Sequence, residues 1–301
     1  MKIAVTGSHG MIGSALVGAL ESAGHRPLRI VRSTPTGPDE ITWDPVAGTI
    51  DARSLEGVDA VVHLAGKHIG RPWWTEGYMA AVKDSRVRAT YLLAEALSKL
   101  DRKPSVLVSA SGIHYYGNRG DELLTEESRP GEGFLAEVVM AWEMATSPAS
   151  EAGIRVANIR SAVVVSPSGG ALAPMMIPMR LGIGGKLGSG AQYWSWIALD
   201  DHIAAVQHIL GTEGLSGPVN LASPEPVRNA DFVATIGRVL RRPAVLPVPA
   251  FALKIALGPQ MANQMALYSQ RVVPRKLEES GFKFAYPDLE GAFRHVLGRP
   301  A

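Results

Sequence analysis

Thr6-Gly7-Ser8-His9-Gly10-Met11-Ile12-Gly13 follows directly on a β-branched run at 2–6. It opens a segment in which Ile12, Ala15, Leu16, Ala19, Leu20 and Ala23 recur at helical spacing. A G-x-x-G-x-x-G spacing between a strand and a helix is the arrangement that carries a phosphate. Gly7 permits the tight turn out of the strand, and Gly10 lacks the Cβ that would hold a diphosphate off the backbone. Gly13 lets the helix pack close to the sheet. Met11 and Ile12 begin that helix, whose free N–H groups and positive dipole end face the same point. Among 32 glycines a chance match is common; the strand–turn–helix context gives this one its meaning.

Outward from that turn, short apolar runs alternate with helical patterns. Strands are expected at 27–32, 60–64, 105–109 and 155–165, and helices at 11–23, 83–100 and 137–149. The run at 60–64 is apolar throughout, as in a strand covered on both faces. This order implies an α/β fold, a Rossmann-type doubly wound parallel sheet. After Pro167 the texture changes: 167–196 is rich in Gly, Pro and Met. A helix at 199–210 with Asp200 or Asp201 as N-cap, a short strand at 219–221 and a helix at 229–240 capped by Asn229 follow. A Pro-rich connector and two or three helices fill 243–299. The expected organisation is a nucleotide-binding domain over 1–166 that also takes in about 197–235. A small interleaved substrate-side region comprises 167–196 and 236–301.

The second strand ends Arg29-Ile30-Val31-Arg32-Ser33, and no acid lies between Glu21 and Asp39. An acid about 20 residues after the glycine turn would bond the adenosine ribose 2′-OH of NAD. A guanidinium there pairs instead with a 2′-phosphate. Arg32 and Ser33 therefore point to NADP(H) in preference to NAD(H).

The 301-residue chain is 46% hydrophobic and 19% charged, which suits a soluble globular protein. A net charge of +2 without a Lys/Arg-rich run argues against a nucleic-acid partner. No apolar run is long enough for a membrane span. With no cysteine, disulfides, thiolate catalysis and cysteine–metal sites are excluded. The histidines show no ligand cluster, so no metal is expected. The sequence opens on its first strand with no leader ahead of it, and the expectation is a cytoplasmic monomer or homodimer acting on a small molecule.

Further strings carry a family resemblance. His63-Leu64-Ala65-Gly66 resembles the loop that flanks adenine and ribose in extended short-chain dehydrogenases. The run from Val108 through Ser109, Ser111, His114, Tyr115 and Tyr116 to Gly117 resembles their serine strand. The segment from Arg160 to Pro167 resembles the strand and loop that pass the nicotinamide. Trp73-Trp74, Asp84-Ser85-Arg86, Leu187-Gly188-Ser189-Gly190, Gln192-Tyr193-Trp194-Ser195-Trp196 and Gln270-Arg271-Val272 extend the likeness end to end. The chain is similar to the atypical, epimerase-like members of the extended short-chain dehydrogenase/reductases, within the NAD-dependent epimerase/dehydratase superfamily, with their family-specific C-terminal domain. The resemblance implies an extended Rossmann fold, NADP(H) binding with Leu64, Ala65, Gly66, Ser109 and Arg160 near the cofactor, and a small C-terminal substrate domain.

That family's proton chemistry uses a serine and, about 25 residues on, Tyr-x-x-x-Lys. Here the slot reads Phe134-Leu135-Ala136-Glu137-Val138-Val139, without tyrosine or lysine. Ser111 fits the serine position, with Ser109 the alternative. Tyr115 or Tyr116 is the expected acid/base, and His114 a further candidate. The aromatic segments around Trp73, Trp74, Tyr193, Trp194 and Trp196 are expected at the cleft, and Arg180 and Lys186 beside an anionic substrate. The implied function is an NADP(H)-dependent oxidoreductase or epimerase-like enzyme for a small carbonyl, alcohol or sugar-nucleotide compound. The alternative is a non-catalytic NADP(H)-binding sensor.

Overall fold

A computed structural model describes residues 1–170 and 172–299; Ala171 and the last two residues of the expected C-terminal region lie outside them. Strands β1 (Lys2–Thr6), β2 (Arg26–Val31), β3 (Glu40–Asp44), β4 (Thr49–Ile50), β5 (Ala60–His63) and β6 (Val106–Gly112) come first. Then follow β7 (Leu123–Leu124), β8 (Arg155–Ser161), β9 (Val163–Val165), β10 (Tyr193–Trp194), β11 (Trp196–Ala198) and β12 (Gly217–Leu221). The main sheet runs β12-β8-β6-β5-β1-β2-β3-β4, parallel except for the last pair. From β1 the chain builds outward through β2 and β3. It then returns to β5 on the other flank of β1 and builds outward the opposite way. The strand order reverses between β1 and β5, and a crevice opens past their carboxyl ends, where open α/β sheets take ligands.

Helices α1 (Met11–Ser22), α2 (Glu76–Ser98), α3 (Phe134–Met144), α4 (Ser147–Glu151), α5 (Leu172–Arg180), α6 (Leu199–Gly211) and α7 (Asn229–Leu240) pack around the sheet and its C-terminal extension. The period-two alternation of β1 sorts its side chains. Ile3 and Val5 meet Leu16 and Leu20 of α1 and Val206 of α6, while Ala4 joins Leu93 and Leu97 of α2. A further apolar cluster gathers Met176, Trp194, Trp196, Phe232 and Phe293. None of the helices among the described residues is long and apolar enough to cross a membrane.

Several boundaries differ from the sequence reading. The helix expected at 83–100 begins at Glu76, where Thr75 caps it by accepting the Tyr78 N–H. The expected helix 137–149 is two, because Pro148 can only begin a new one, in the first turn of α4. The expected strand 155–165 divides at Ala162, after which β9 pairs with β11 rather than with the main sheet. The hairpin β3–β4 was not foreseen. Neither foreseen cap is one: Ala198 and Arg228 hold those positions. Asp201 instead accepts the N–H groups of Ala285 and Tyr286 at 2.7 and 2.9 Å, and Asn229 accepts that of Leu187 at 2.8 Å.

At the turn itself Gly7 has φ +66°, in the left-handed region that favours glycine. A Cβ on Gly13 would fall 2.1 Å from the Gly7 carbonyl oxygen. Gly13→Ala is therefore expected to destabilise the fold by about 2 kcal/mol, read as a lower urea-unfolding midpoint; an unchanged midpoint would contradict this packing of α1 on the turn.

Candidate functional site

The crevice floor is a hydrogen-bonded chain through four elements. Thr6 Oγ1 accepts the N–H groups of Leu64 (3.0 Å) and Ala65 (3.2 Å). With both lone pairs engaged, its proton goes to His63 Nδ1, 2.8 Å away. His63 is thereby the Nε2–H tautomer and donates to Thr90 Oγ1 at 2.9 Å. Thr90 also accepts the Trp142 indole N–H at 2.8 Å. His63 is fully buried, and burial brings its pKa down to about 4, so the ring is neutral. The ends of β1 and β5 are thus tied to α2 and α3.

Above this floor lies a cavity of about 930 Å³. Of the residues expected at a cofactor, Gly7, Gly10, Arg32, Ser33, Leu64, Ala65 and Gly66 line it. Met11, Ile12 and Gly13 form the first turn of α1 behind them. Lys67, His68 and Arg88 line it too. The wall suits a dinucleotide. Gly10 begins α1 without a side-chain cap, which leaves first-turn N–H groups for a ligand. Ser8 Oγ is buried there without a partner among the described residues. Asp84 is the carboxylate on this wall among the described residues, and it faces Arg88 at 3.6 Å.

In β6, the neighbour of β5, Ser111 stands one residue before the strand end, and its register partner in β8 is Arg160. Glu143, from α3, binds both. It accepts the Ser111 hydroxyl at 2.6 Å and takes Arg160 in a two-pronged pair, Nε and Nη2 each at 2.8 Å. The Arg160 side chain is only 3% exposed. Burial is the largest single influence and opposes its charge, but the hydrogen bonds and charge of Glu143 together with those of Tyr116 raise its pKa overall. Its Nη1 donates to the Tyr116 hydroxyl at 3.1 Å, and that hydroxyl donates to Asn220 Oδ1 at 2.7 Å. The Tyr115 ring lies on the guanidinium, 3.4 Å from Cζ to ring centre.

Comparison with known proteins follows the same lines. The sequence profile of the NAD dependent epimerase/dehydratase family matches residues 3–222. The chain belongs to that family. A C-terminal domain of unknown function (DUF1731) matches residues 248–296. The chain is 41% identical over 298 residues to epimerase family protein Mb2239 of Mycobacterium bovis, covering 99% of this chain and 98% of that protein. The crystal structure of human epimerase family protein SDR39U1 (isoform 2) with NADPH is 34% identical, with a TM-score of 0.92 over 100% of both chains. UDP-N-acetylglucosamine 4-epimerase from Bacillus cereus, 20% identical with a TM-score of 0.77 over 98% of each chain, shares the fold.

Against that family pattern, several expected roles are corrected by position. Arg160 is a buried ion-pair partner and does not line the cofactor cavity. Tyr116 is fully enclosed, both sides of its hydroxyl are occupied, and burial pushes its pKa up to about 12, so it holds structure rather than moving a proton. Ser109 is fully buried, with its Oγ unpartnered among the described residues, and lies between His63 and Asn158 in the sheet. Ser111, buried one residue before the end of β6, and half-buried Tyr115 do not line that cavity either. The slot at 134–139 is packing surface: Phe134 stacks edge-on against Trp74, and Leu135, Ala136, Val138 and Val139 are buried. Trp194 and Trp196 belong to the C-terminal apolar cluster rather than the cleft. Arg180 lines a separate hollow with Arg242 and Arg299. Glu143 was missed altogether; an acid next to a core tryptophan on a helix carries no local mark of its role.

Fully buried His63 and His202 both have pKa values near 4, below the ordinary 6.5, because burial disfavours the charged ring. The unfolded chain takes up these protons near pH 6.5 while the folded one does not until about 4, so stability is full above 6.5 and falls as pH drops through that window. From pH 7 to 5.5 each is expected to remove about 1 kcal/mol, measured as a falling urea midpoint; a level midpoint would mean that the rings are already charged or accessible.

Proposed function

We propose that the chain is an NADP(H)-dependent oxidoreductase or epimerase-like enzyme acting on a small carbonyl, alcohol or sugar-nucleotide compound. One observation carries the reading. The serine one residue before the end of β6, the strand next to β5 and its cavity-lining loop, has its hydroxyl held by a partly buried carboxylate that is itself fixed by an arginine. NADP(H) as cofactor is supported by Arg32 and Ser33 on the cavity wall, by the lack of a free acid there, and by the NADPH in the human relative. When bound, the nicotinamide supplies or accepts a hydride.

The residues set the polarity of the site. Ser111 gives its proton to Glu143, so its oxygen meets a ligand through lone pairs and accepts from a substrate hydroxyl. That suits an alcohol or sugar hydroxyl; a carbonyl oxygen would need Ser111 to turn away from Glu143. Tyr115 shares its ring face with Arg160, and its hydroxyl has no partner among the described residues, which leaves it to carry the substrate proton. The sensor reading is favoured by one fact, the apolar packing of 134–139 where the family's proton-transfer pair would stand.

Arg32→Asp is expected to weaken NADPH binding about tenfold or more with NADH little changed, and Gly10→Val to block both; calorimetry reads each, and equal losses for the two coenzymes would reject the 2′-phosphate contact. NADPH oxidation is to be followed against quinones, aldehydes and keto sugars. With any compound turned over, Ser111→Ala should lower kcat about 100-fold with NADPH affinity unchanged. Full NADPH binding without turnover across the panel would leave the sensor.

A further inference from the structure

Asp84 and Ser85 of α2 line the cavity together with Gly66, and Arg86 follows them on the helix. Ser85 Oγ accepts the Lys67 N–H at 3.0 Å and donates to Val82 O at 2.9 Å, which fixes the loop after β5 to the helix. The Arg86 guanidinium lies so near Gly66 that a Cβ there would sit 3.3 Å from Cζ. Its Cζ is 5.1 Å from the centre of the Trp142 ring, and one N–H goes to the Val82 carbonyl of its own helix at 3.1 Å. Arginine has five N–H donors in a fixed fork, and no carboxylate pairs with this one among the described residues. The nearby acids are engaged elsewhere, Asp84 with Arg88 and Glu143 with Arg160 and Ser111.

The surroundings deepen the imbalance. Lys67 and Arg71 lie over the Tyr78 ring at 5.6 and 5.5 Å, and neither has an ion-pair partner among the described residues. The ring of His114, three residues beyond Ser111, has no hydrogen-bond partner among the described residues either. Burial first, and the Arg86 charge second, bring its pKa down to about 4, so it stays neutral and adds no counter-charge. Burial also takes the Arg86 pKa down to about 10, against a smaller opposing influence from Tyr78.

We propose that Arg86, with the His114 ring beside it, is the anion-binding element of the substrate cleft, so that the compound bound there carries a carboxylate or phosphate group. The inference rests on the reading of this cleft as a substrate site beside NADP(H). The cofactor's own phosphates have places elsewhere: the glycine turn takes the diphosphate, and Arg32 beyond β2 takes the 2′-phosphate. Gly66, Ser111 and His114 follow β5 and β6, on the opposite flank of β1 from Arg32. An anion on Arg86 therefore lies on the Ser111 side of the crevice.

The test titrates NADP+-saturated protein calorimetrically with inorganic phosphate and with acetate, and with acetamide as the neutral control. At least one anion is expected to bind and acetamide not to. Arg86→Met should weaken anion binding about tenfold or more, with NADP+ affinity little changed, and Arg86→Lys, which keeps the charge but not the fork, should recover part of it. Near-ultraviolet circular dichroism checks that each variant is folded, and Arg86→Lys carries the test if Arg86→Met is not. Loss of NADP+ affinity in Arg86→Met, with no separate anion binding in wild type, would assign the guanidinium to the cofactor diphosphate and overturn the proposal. Anion binding absent, or equal in wild type and variants, would reduce Arg86 to a support for Trp142. The same titration without NADP+ separates the two readings: anion binding that depends on Arg86 in a protein that takes up no coenzyme would uphold the subsite and reject the cofactor assignment.

Discussion

The architecture depends on a main-chain contact between the first and last glycines of one turn. The Gly7 carbonyl receives the Gly10 N–H at 2.9 Å and lies where any side chain on residue 13 would have to be. Gly7 is equally confined on its other side, since a Cβ there would fall 2.9 Å from the Leu64 backbone. One turn thus fixes both the approach of α1 to β1 and the spacing of the loop that leaves β5. Because the strand order reverses between those two parallel strands, the contact sets the width of the crevice and aims the α1 dipole into it. Thr6, the residue before the turn, then ties the β5 loop through its hydroxyl and passes the constraint to His63, Thr90 and Trp142.

How much of this a sequence discloses follows from the range of each interaction. The glycine turn, the alternation of β1 and the amphipathic face of α1 are local, and they are legible from residue order. Arg32 is legible for the same reason, as the end of a strand whose partner motif lies a fixed distance behind. The hairpin β3–β4 left a trace in the alternating burial of Ile41 and Trp43, but over five residues flanked by turn-formers that signal is too short to separate from loop. Asn220 meets Tyr116 from 104 residues away and Glu143 meets Ser111 from 32. No periodicity relates such pairs; only the closed sheet brings them together. Tyr116 shows the converse error, since its place after the serine strand suggested chemistry while the sheet had enclosed it.

The Glu143–Arg160 pair explains how the fold holds a polar centre without the tyrosine and lysine that the family pattern leads one to expect at 134–139. A buried arginine needs a carboxylate, and losing either partner alone would leave a charge stranded at a cost of about 3–5 kcal/mol. With both present the pair contributes little net charge and serves mainly to orient. It turns the Ser111 proton inward and gives Tyr115 a flat cationic surface to rest on. The apolar slot at the start of α3 is consistent with that arrangement, because the helix now contributes its polar group from its last turn rather than its first.

The cleft therefore has its charges rearranged rather than removed. In the pattern with a lysine on the serine-side helix, the positive charge comes from α3. Here the cation nearest the serine is neutralised by α3 itself, and positive charge without an ion-pair partner among the described residues comes from Arg86 on α2 and from Lys67 and Arg71 in the loop between β5 and α2. On the proposed reading, hydroxyl recognition and charge recognition are carried by different walls. A neutral sugar or ketone would engage the serine wall and leave the α2 wall desolvated and unpaired, which low-dielectric surroundings penalise. A ligand with a hydroxyl at one end and an anionic group at the other satisfies both, and its length is set by the span between the two walls.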